Sequence, residues 1–165
     1  MRLKLQPAAS EDAESIAALR NAVSDDLTFR YGKGSWTHYC TTAGVLQDMP
    51  NGNLFVALQR GEAVASFNLA AKKPGAINLE YFTKVERPLY LLSMVVAPER
   101  QRQGCGRACF DEALKFARRR KAGALFLDAF DHAAGAGEFY RKCGCREVAR
   151  ASCKGAPLIY FERVL

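Results

Sequence analysis

Apolar and polar residues along this chain fall into short stretches, each of a length that suits one secondary-structure element. Leu3-Lys4-Leu5-Gln6 alternates and then meets Pro7, which predicts a short first strand. Ser10 is placed to cap a helix, with Glu11, Asp12 and Glu14 near its positive end. Ile16, Leu19 and Val23 then recur at helical spacing. Residues 28 to 48 mix Phe29, Tyr31, Trp36 and Tyr39 with Gly32 and Gly34, and predict a loop followed by a short helix ending near Asp48. After a turn at Pro50-Asn51-Gly52, the apolar runs 54 to 58 and 63 to 69 flank Arg60-Gly61-Glu62 as a hairpin. Lys72, Lys73, Pro74 and Gly75 mark a loop. Residues 89 to 96 form a continuous apolar run, expected to be a strand buried on both faces or nearly so. From 107 to 121 the pattern becomes helical, with Phe110, Ala113, Leu114 and Ala117 on one face, Asp111 and Lys115 paired at i+4, and Gly123 ending the helix. A strand over 124 to 130, a helix over 133 to 143 closed by Gly144, and a strand pair over 147 to 151 and 158 to 163 complete the chain. This order predicts a mixed sheet flanked by helices, in one domain spanning residues 1–165.

Charge changes the picture. The chain holds 24 Lys and Arg against 17 Asp and Glu, a formal +7 over 165 residues, and that surplus calls for an anionic partner. From Glu99 to Lys121 there are eight positives and three negatives, so +5 of the surplus lies on one segment. No helix-turn-helix or RNA-binding signature is present, so nucleic acid is not the expected partner. The start lacks an apolar stretch of signal-peptide length, and the longest apolar run, 89 to 98, is about half a membrane span. A cytoplasmic protein that does not engage a membrane is therefore expected. The six cysteines form no Cys-x-x-Cys pair, and His38 and His132 fit no usual zinc spacing, so free thiols and no metal are expected.

The informative junction reads Val96-Ala97-Pro98-Glu99-Arg100-Gln101-Arg102-Gln103-Gly104-Cys105-Gly106-Arg107. Gly104 and Gly106 remove two side chains where a helix begins, so bare N–H groups and the helix dipole can face an anion. It is not a nucleotide P-loop, since no Gly-Lys-Ser/Thr follows, and Cys109 stands where a dinucleotide fingerprint needs its third glycine.

At these residues the chain resembles the GCN5-related N-acetyltransferases, whose signature Gln/Arg-x-x-Gly-x-Gly/Ala is met by Gln101, Gly104 and Gly106. A second family signature on the later helix is met by Ala136, Tyr140, Lys142 and Gly144; Ala133 replaces its Asn and Cys145 its Phe. The resemblance implies an α/β (α+β) fold with a mostly antiparallel sheet of about six to seven strands. It implies that the backbone of Gln101, Arg102, Gln103, Gly104, Cys105, Gly106 and Arg107 holds the pyrophosphate of acetyl-coenzyme A. Met94, Val95 and Val96 would contact the pantetheine arm. Arg102 and Arg107 are the charges expected nearest the phosphates.

The implied reaction is direct transfer of an acetyl group from acetyl-coenzyme A to a primary amine of a small molecule or peptide. The alternative is a non-catalytic acyl-coenzyme A binding module of the same fold. Tyr140 matches the family's proton donor to the leaving thiolate, and a phenol can fill that role. Many members of that family use a glutamate on the strand before the phosphate loop as general base; Glu86 and Glu80 are the available carboxylates here, both falling before the strand proper, and His38 is a further candidate. Residues 28 to 45 would shape the acceptor site. Cys105 would contribute only its backbone, and no acyl-cysteine is needed. A homodimer is compatible with the resemblance.

Overall fold

The computed structural model describes residues 3–165. Strand β1 (Leu5–Pro7) leads into helix α1 (Ala13–Tyr31) and a short α2 (Thr42–Asp48). Three strands follow, β2 (Asn53–Gln59), β3 (Glu62–Ala70) and β4 (Leu89–Val96). Then come α3 (Cys105–Arg119), β5 (Ala124–Phe130), α4 (Gly137–Lys142), β6 (Arg146–Cys153) and β7 (Ala156–Val164). The seven strands form one sheet in the order β1-β2-β3-β4-β5-β7-β6. Every adjacent pair is antiparallel except β4–β5. The sheet is thus mixed and mostly antiparallel, as expected.

Alternation along the strands assigns the two faces. Phe67, Leu69, Leu91, Leu125, Leu127 and Phe161 point toward α3, which covers them with Phe110, Ala113, Leu114 and Ala117. The opposite face buries Leu54 and Val56 beneath Ile16 and Ala17 of α1, and Tyr90, Phe126 and Tyr160 beneath Ile77 and Phe82.

Several elements differ from their sequence expectation for identifiable reasons. The backbone N–H of Ala9 donates to Asp12 Oδ2 at 2.8 Å, closing the 3-10 turn that precedes α1, and Ser10, within that turn, does not cap the helix. Helix α1 runs on through Tyr31, past the expected loop start at 28, until Gly32 turns the chain at φ 80°. Asp111 pairs with Arg107 at 3.0 Å, and Lys115 turns to Glu112 at 2.7 Å. Helix α4 begins at Gly137 rather than 133, because 131 to 136 form turns. Pro7 is tolerated inside β1 because that strand lies at the sheet edge.

The most consequential departure concerns β4. Only its first residues, Leu89 to Leu91, are buried; Leu92 and Met94 to Val96 are half-buried, and Ser93 is exposed. Leu92 faces Asn68 and Val95 faces Ser66, so three steps of β4 span two of β3. Ser93, in that bulge, adopts φ 50°. On the other side, β4 pairs with β5 at Leu89–Leu125 and Tyr90–Phe126, after which no pairing register continues. The two parallel strands splay, and the sheet is open at its middle.

Candidate active site

The splay leaves the carboxyl half of β4 with backbone groups that β5 does not pair. A strand edge of this kind is free to pair with a ligand or with water. A cleft of about 340 Å³ lies along it. Its walls come from Leu91 to Val95 of β4, Asp128 to Phe130 of β5, Ala134 to Ala136, Tyr140 of α4 and residues of α1 and its following loop.

Below the end of β4 the chain forms the glycine loop. Gln101 Nε2 donates to Val96 O at 3.1 Å, and Gln103 Nε2 donates to Glu99 O at 2.8 Å, so both glutamines hold the loop's own shape. Arg100 donates to Gln59 of β2. Gly104 sits at φ 83° as the N-cap of α3, and a Cβ built there meets no atom within 4 Å. Its two properties, a left-handed backbone and open space outside, are those of a main chain exposed to a ligand. Gly106 differs. A Cβ there would lie 3.2 Å from Phe139 Cε2, so this glycine lets α3 and α4 approach. The N–H groups of Cys105, Gly106 and Arg107 lie in the first turn of α3, where no intrahelical carbonyl reaches them. Arg102 is exposed and Arg107 is held by Asp111. Arg118 and Arg119 occupy the far end of α3, about 20 Å away along the helix.

Tyr140 reaches the cleft from the opposite side. Its ring packs among Phe110, Phe139 and Phe161, and its hydroxyl has no hydrogen-bond partner among the described residues. Burial, reinforced by the neighbouring Cys145 and Asp128, drives its pKa upward. The hydroxyl therefore stays protonated and is a standing hydrogen-bond donor.

Asp128 is the carboxylate that the geometry delivers and sequence reasoning missed. It lies on β5, lines the same cleft, and has no hydrogen bond or ion pair among the described residues. Burial raises its pKa, which makes it a stronger base than an ordinary aspartate. The available signal was a single charge within Leu125-Phe126-Leu127-Asp128-Ala129-Phe130. Neither Glu80 nor Glu86 lines the cleft; both are exposed. Glu86 accepts from Gly123 N through its backbone at 3.0 Å, at the amino end of β4 and away from the splay. His38 does line the cleft.

The remaining wall is tied to α1 by side chains. Ser24, buried, donates from Oγ to Trp36 O at 2.9 Å and accepts from His38 N at 3.1 Å. Asn21 brackets Cys40, donating to its carbonyl at 2.9 Å and accepting from its N–H at 2.7 Å. Trp36 lies against His132 and Phe130, with centroid distances of 4.6 and 6.0 Å. Of the expected aromatics, Trp36 faces the cleft, whereas Phe29 and Tyr39 point to solvent.

Burial holds the thiols of Cys109 and Cys145 up to about 12 and raises that of Cys143, so none is a ready nucleophile. Among the described residues, no group of His, Cys, Asp or Glu is arranged to hold a metal ion. Likewise, no helix among them is long and apolar enough to cross a membrane.

A model of the acetyltransferase (GNAT) family matches residues 16–145. Among solved structures, the chain is similar to ribosomal-protein-alanine N-acetyltransferase from Brucella melitensis, with 20% identity, TM-score 0.74, and 99% of this chain and 100% of that one covered. It is also similar to PaiA N-acetyltransferase from Thermoplasma acidophilum in complex with coenzyme A, with 13% identity, TM-score 0.75 and full coverage of both chains at 100%. A third similar structure is YncA from Salmonella typhimurium with acetyl-CoA, with 14% identity, TM-score 0.71, and 98% and 93% covered. A comparison with curated proteins finds no match.

Proposed function

We propose that this chain, which belongs to the GNAT acetyltransferase family, transfers an acetyl group from acetyl-CoA to a primary amine by direct attack in the cleft between β4 and β5. The observation that carries this reading is the joint placement of an unpaired strand edge, an unpartnered Asp128 and a protonated Tyr140 around one cavity.

Acetyl-CoA supplies an acyl thioester, which an amine can attack. The chain's residues fit such a group. The first-turn N–H groups of α3 and the open backbone at Gly104 suit a pyrophosphate, with Arg102 nearby. The side of the Met94–Val96 backbone that β5 leaves unpaired suits an amide-bearing arm, which would extend the sheet by strand-like hydrogen bonds. An N–H at that same edge is positioned to polarise a carbonyl.

An amine must lose its proton to attack, and Asp128 is the carboxylate within the cleft able to take it, directly or through a water. Asp128 replaces Glu80 and Glu86 in this role. Tyr140 donates a hydrogen bond to the departing sulfur. Because burial weakens it as an acid, its hydrogen bond matters before its proton moves. Among the described residues, no cysteine lines the cleft, so the proposed route has no acyl-cysteine step.

Incubating the protein with acetyl-CoA and a panel of amines, with free thiol and acetylated product both measured, tests the proposal. Thiol release that requires an amine and yields an equal amount of N-acetyl product is expected. Coenzyme binding without turnover on any amine would instead identify a binding module.

A further inference from the structure

We infer that the amine acceptor carries a carboxylate, which Arg20 binds within the cleft; this rests on the transferase reading given above. Arg20 comes from α1, lines the cleft and is only 8% exposed. Its Nη1 donates to Asp48 Oδ2 at 3.1 Å and lies 3.9 Å from Cys40 Sγ. Its Nε and Nη2 are buried and have no partner among the described residues. These two nitrogens form one complete edge of the guanidinium, the edge that meets a carboxylate with two parallel hydrogen bonds. Asp48, half exposed, answers the charge from the other end, so what Arg20 keeps is an unanswered donor pair beside the cavity.

Buried donors are satisfied in nearly all folded proteins, and an exception next to a cleft points to a missing ligand group. The segment from Trp36 to Cys40, hydrogen-bonded to Ser24 and Asn21, closes over this part of α1. That free edge is itself buried, so binding requires the guanidinium to turn it toward the cleft that the residue lines. The charges facing the cleft are then Arg20 on one wall and Asp128 on the other, with His38 beside them. A zwitterion matches that pair, with its carboxylate at Arg20 and its amine at Asp128. Val23, Leu27, Trp36 and Phe130 offer apolar surface for the rest of it. A small amino acid with an apolar body satisfies every wall. A polyamine or aminoglycoside sets several positive charges against Arg20 with one carboxylate to answer them.

The test titrates the isotope-labelled chain with leucine, methionine and phenylalanine, each beside its methyl ester, and with spermidine, following amide shifts by NMR. At least one free acid is expected to bind about tenfold or more tightly than its ester. Arg20→Gln should remove that discrimination. Asp48→Asn frees the guanidinium of its competitor and should sharpen discrimination severalfold, and this variant alters a half-exposed side chain, so it serves if Arg20→Gln does not fold. Equal binding of acid and ester for every pair, discrimination that survives Arg20→Gln, or tightest binding of spermidine would overturn the inference. Acetyl-CoA turnover is measured in parallel. Turnover of esters or polyamines without turnover of free acids sinks the Arg20 role and leaves the transferase. Acid-over-ester binding with no turnover on any amine sinks the transferase and leaves the carboxylate site.

Discussion

Two walls meet at the split between β4 and β5, and they are made of different material. The lower wall, from Met94 to Arg107, presents main chain: an unpaired strand edge, a left-handed glycine and the first turn of a helix. The upper wall, from α1 and the 32–41 segment, presents side chains held by other side chains, Ser24 to Trp36 and His38, and Asn21 to Cys40. A wall of backbone recognises a constant ligand and tolerates many sequences. A wall of tethered side chains is tuned to one partner. On the proposed function, the contrast implies that donor and acceptor recognition can change independently, since only the floor of the cleft, Asp128 and Tyr140, would serve both.

Substitutions can break that division in order of expected effect. The floor comes first. Asp128→Asn should lower turnover by about 10²-fold or more while leaving acetyl-CoA affinity unchanged, as kinetics and calorimetry together will show. The same substitution should raise thermal stability at pH 7. Folding raises the pKa of Asp128 above its unfolded value, so its contribution is full at low pH and is lost as pH rises through the folded pKa. The stability gained by the Asn variant should therefore shrink as pH falls toward about 4, and a gain independent of pH would contradict the burial of a charge at this site.

Next comes the backbone wall. Gly104→Asp places a side chain at φ 83° and adds a negative charge where phosphates would lie. Coenzyme affinity should fall by about tenfold to a hundredfold, and the left-handed backbone separately costs up to roughly 1–2 kcal/mol of fold stability. Acceptor preference should not move. Tyr140→Phe should cut kcat by about tenfold without altering the melting temperature much, because the hydroxyl has no partner to lose.

The side-chain wall gives a subtler result. Ser24→Ala strands the Trp36 carbonyl and the His38 N–H, costing about 1–3 kcal/mol of stability. It should raise the acceptor KM severalfold with coenzyme affinity intact. Cys105→Ala, in the loop but with a side chain that no proposed step uses, should change least. Loss of all activity in that variant would point to an acyl-cysteine route.

Legibility in the sequence followed the same division. The strand over 124 to 130 and the apolar face of α3 are readable because local pattern and burial coincide there, and the strand over 89 to 96 is readable as an element although its burial stops at Leu91. The glycine loop was readable because helix starts and bare backbone leave a compositional mark. What could not be read was where β4 leaves the sheet. The bulge at Ser93 sits inside an unbroken apolar run, and the splay depends on β3 and β5, which lie far away in sequence. For the same reason the sequence offers Glu80 and Glu86, the carboxylates nearest the strand, whereas the cleft at the splay is lined by Asp128 of the next strand. The tethers Ser24–Trp36 and Arg20–Asp48 join distant residues whose types alone signal nothing. The basic surplus also divides on inspection, since Arg107 is answered by Asp111, and Arg120 lies 4.9 Å over the Phe116 ring.

The central claim is that one cleft binds acetyl-CoA along its backbone wall and moves a proton through Asp128. Calorimetric titration of acetyl-CoA into the wild type and the Asp128→Asn variant, paired with single-turnover thiol release on an accepted amine, tests it most directly. Equal affinities with thiol release slowed only in the variant are predicted. A variant that turns over as fast as the wild type, or a wild type that does not bind acetyl-CoA, would contradict it.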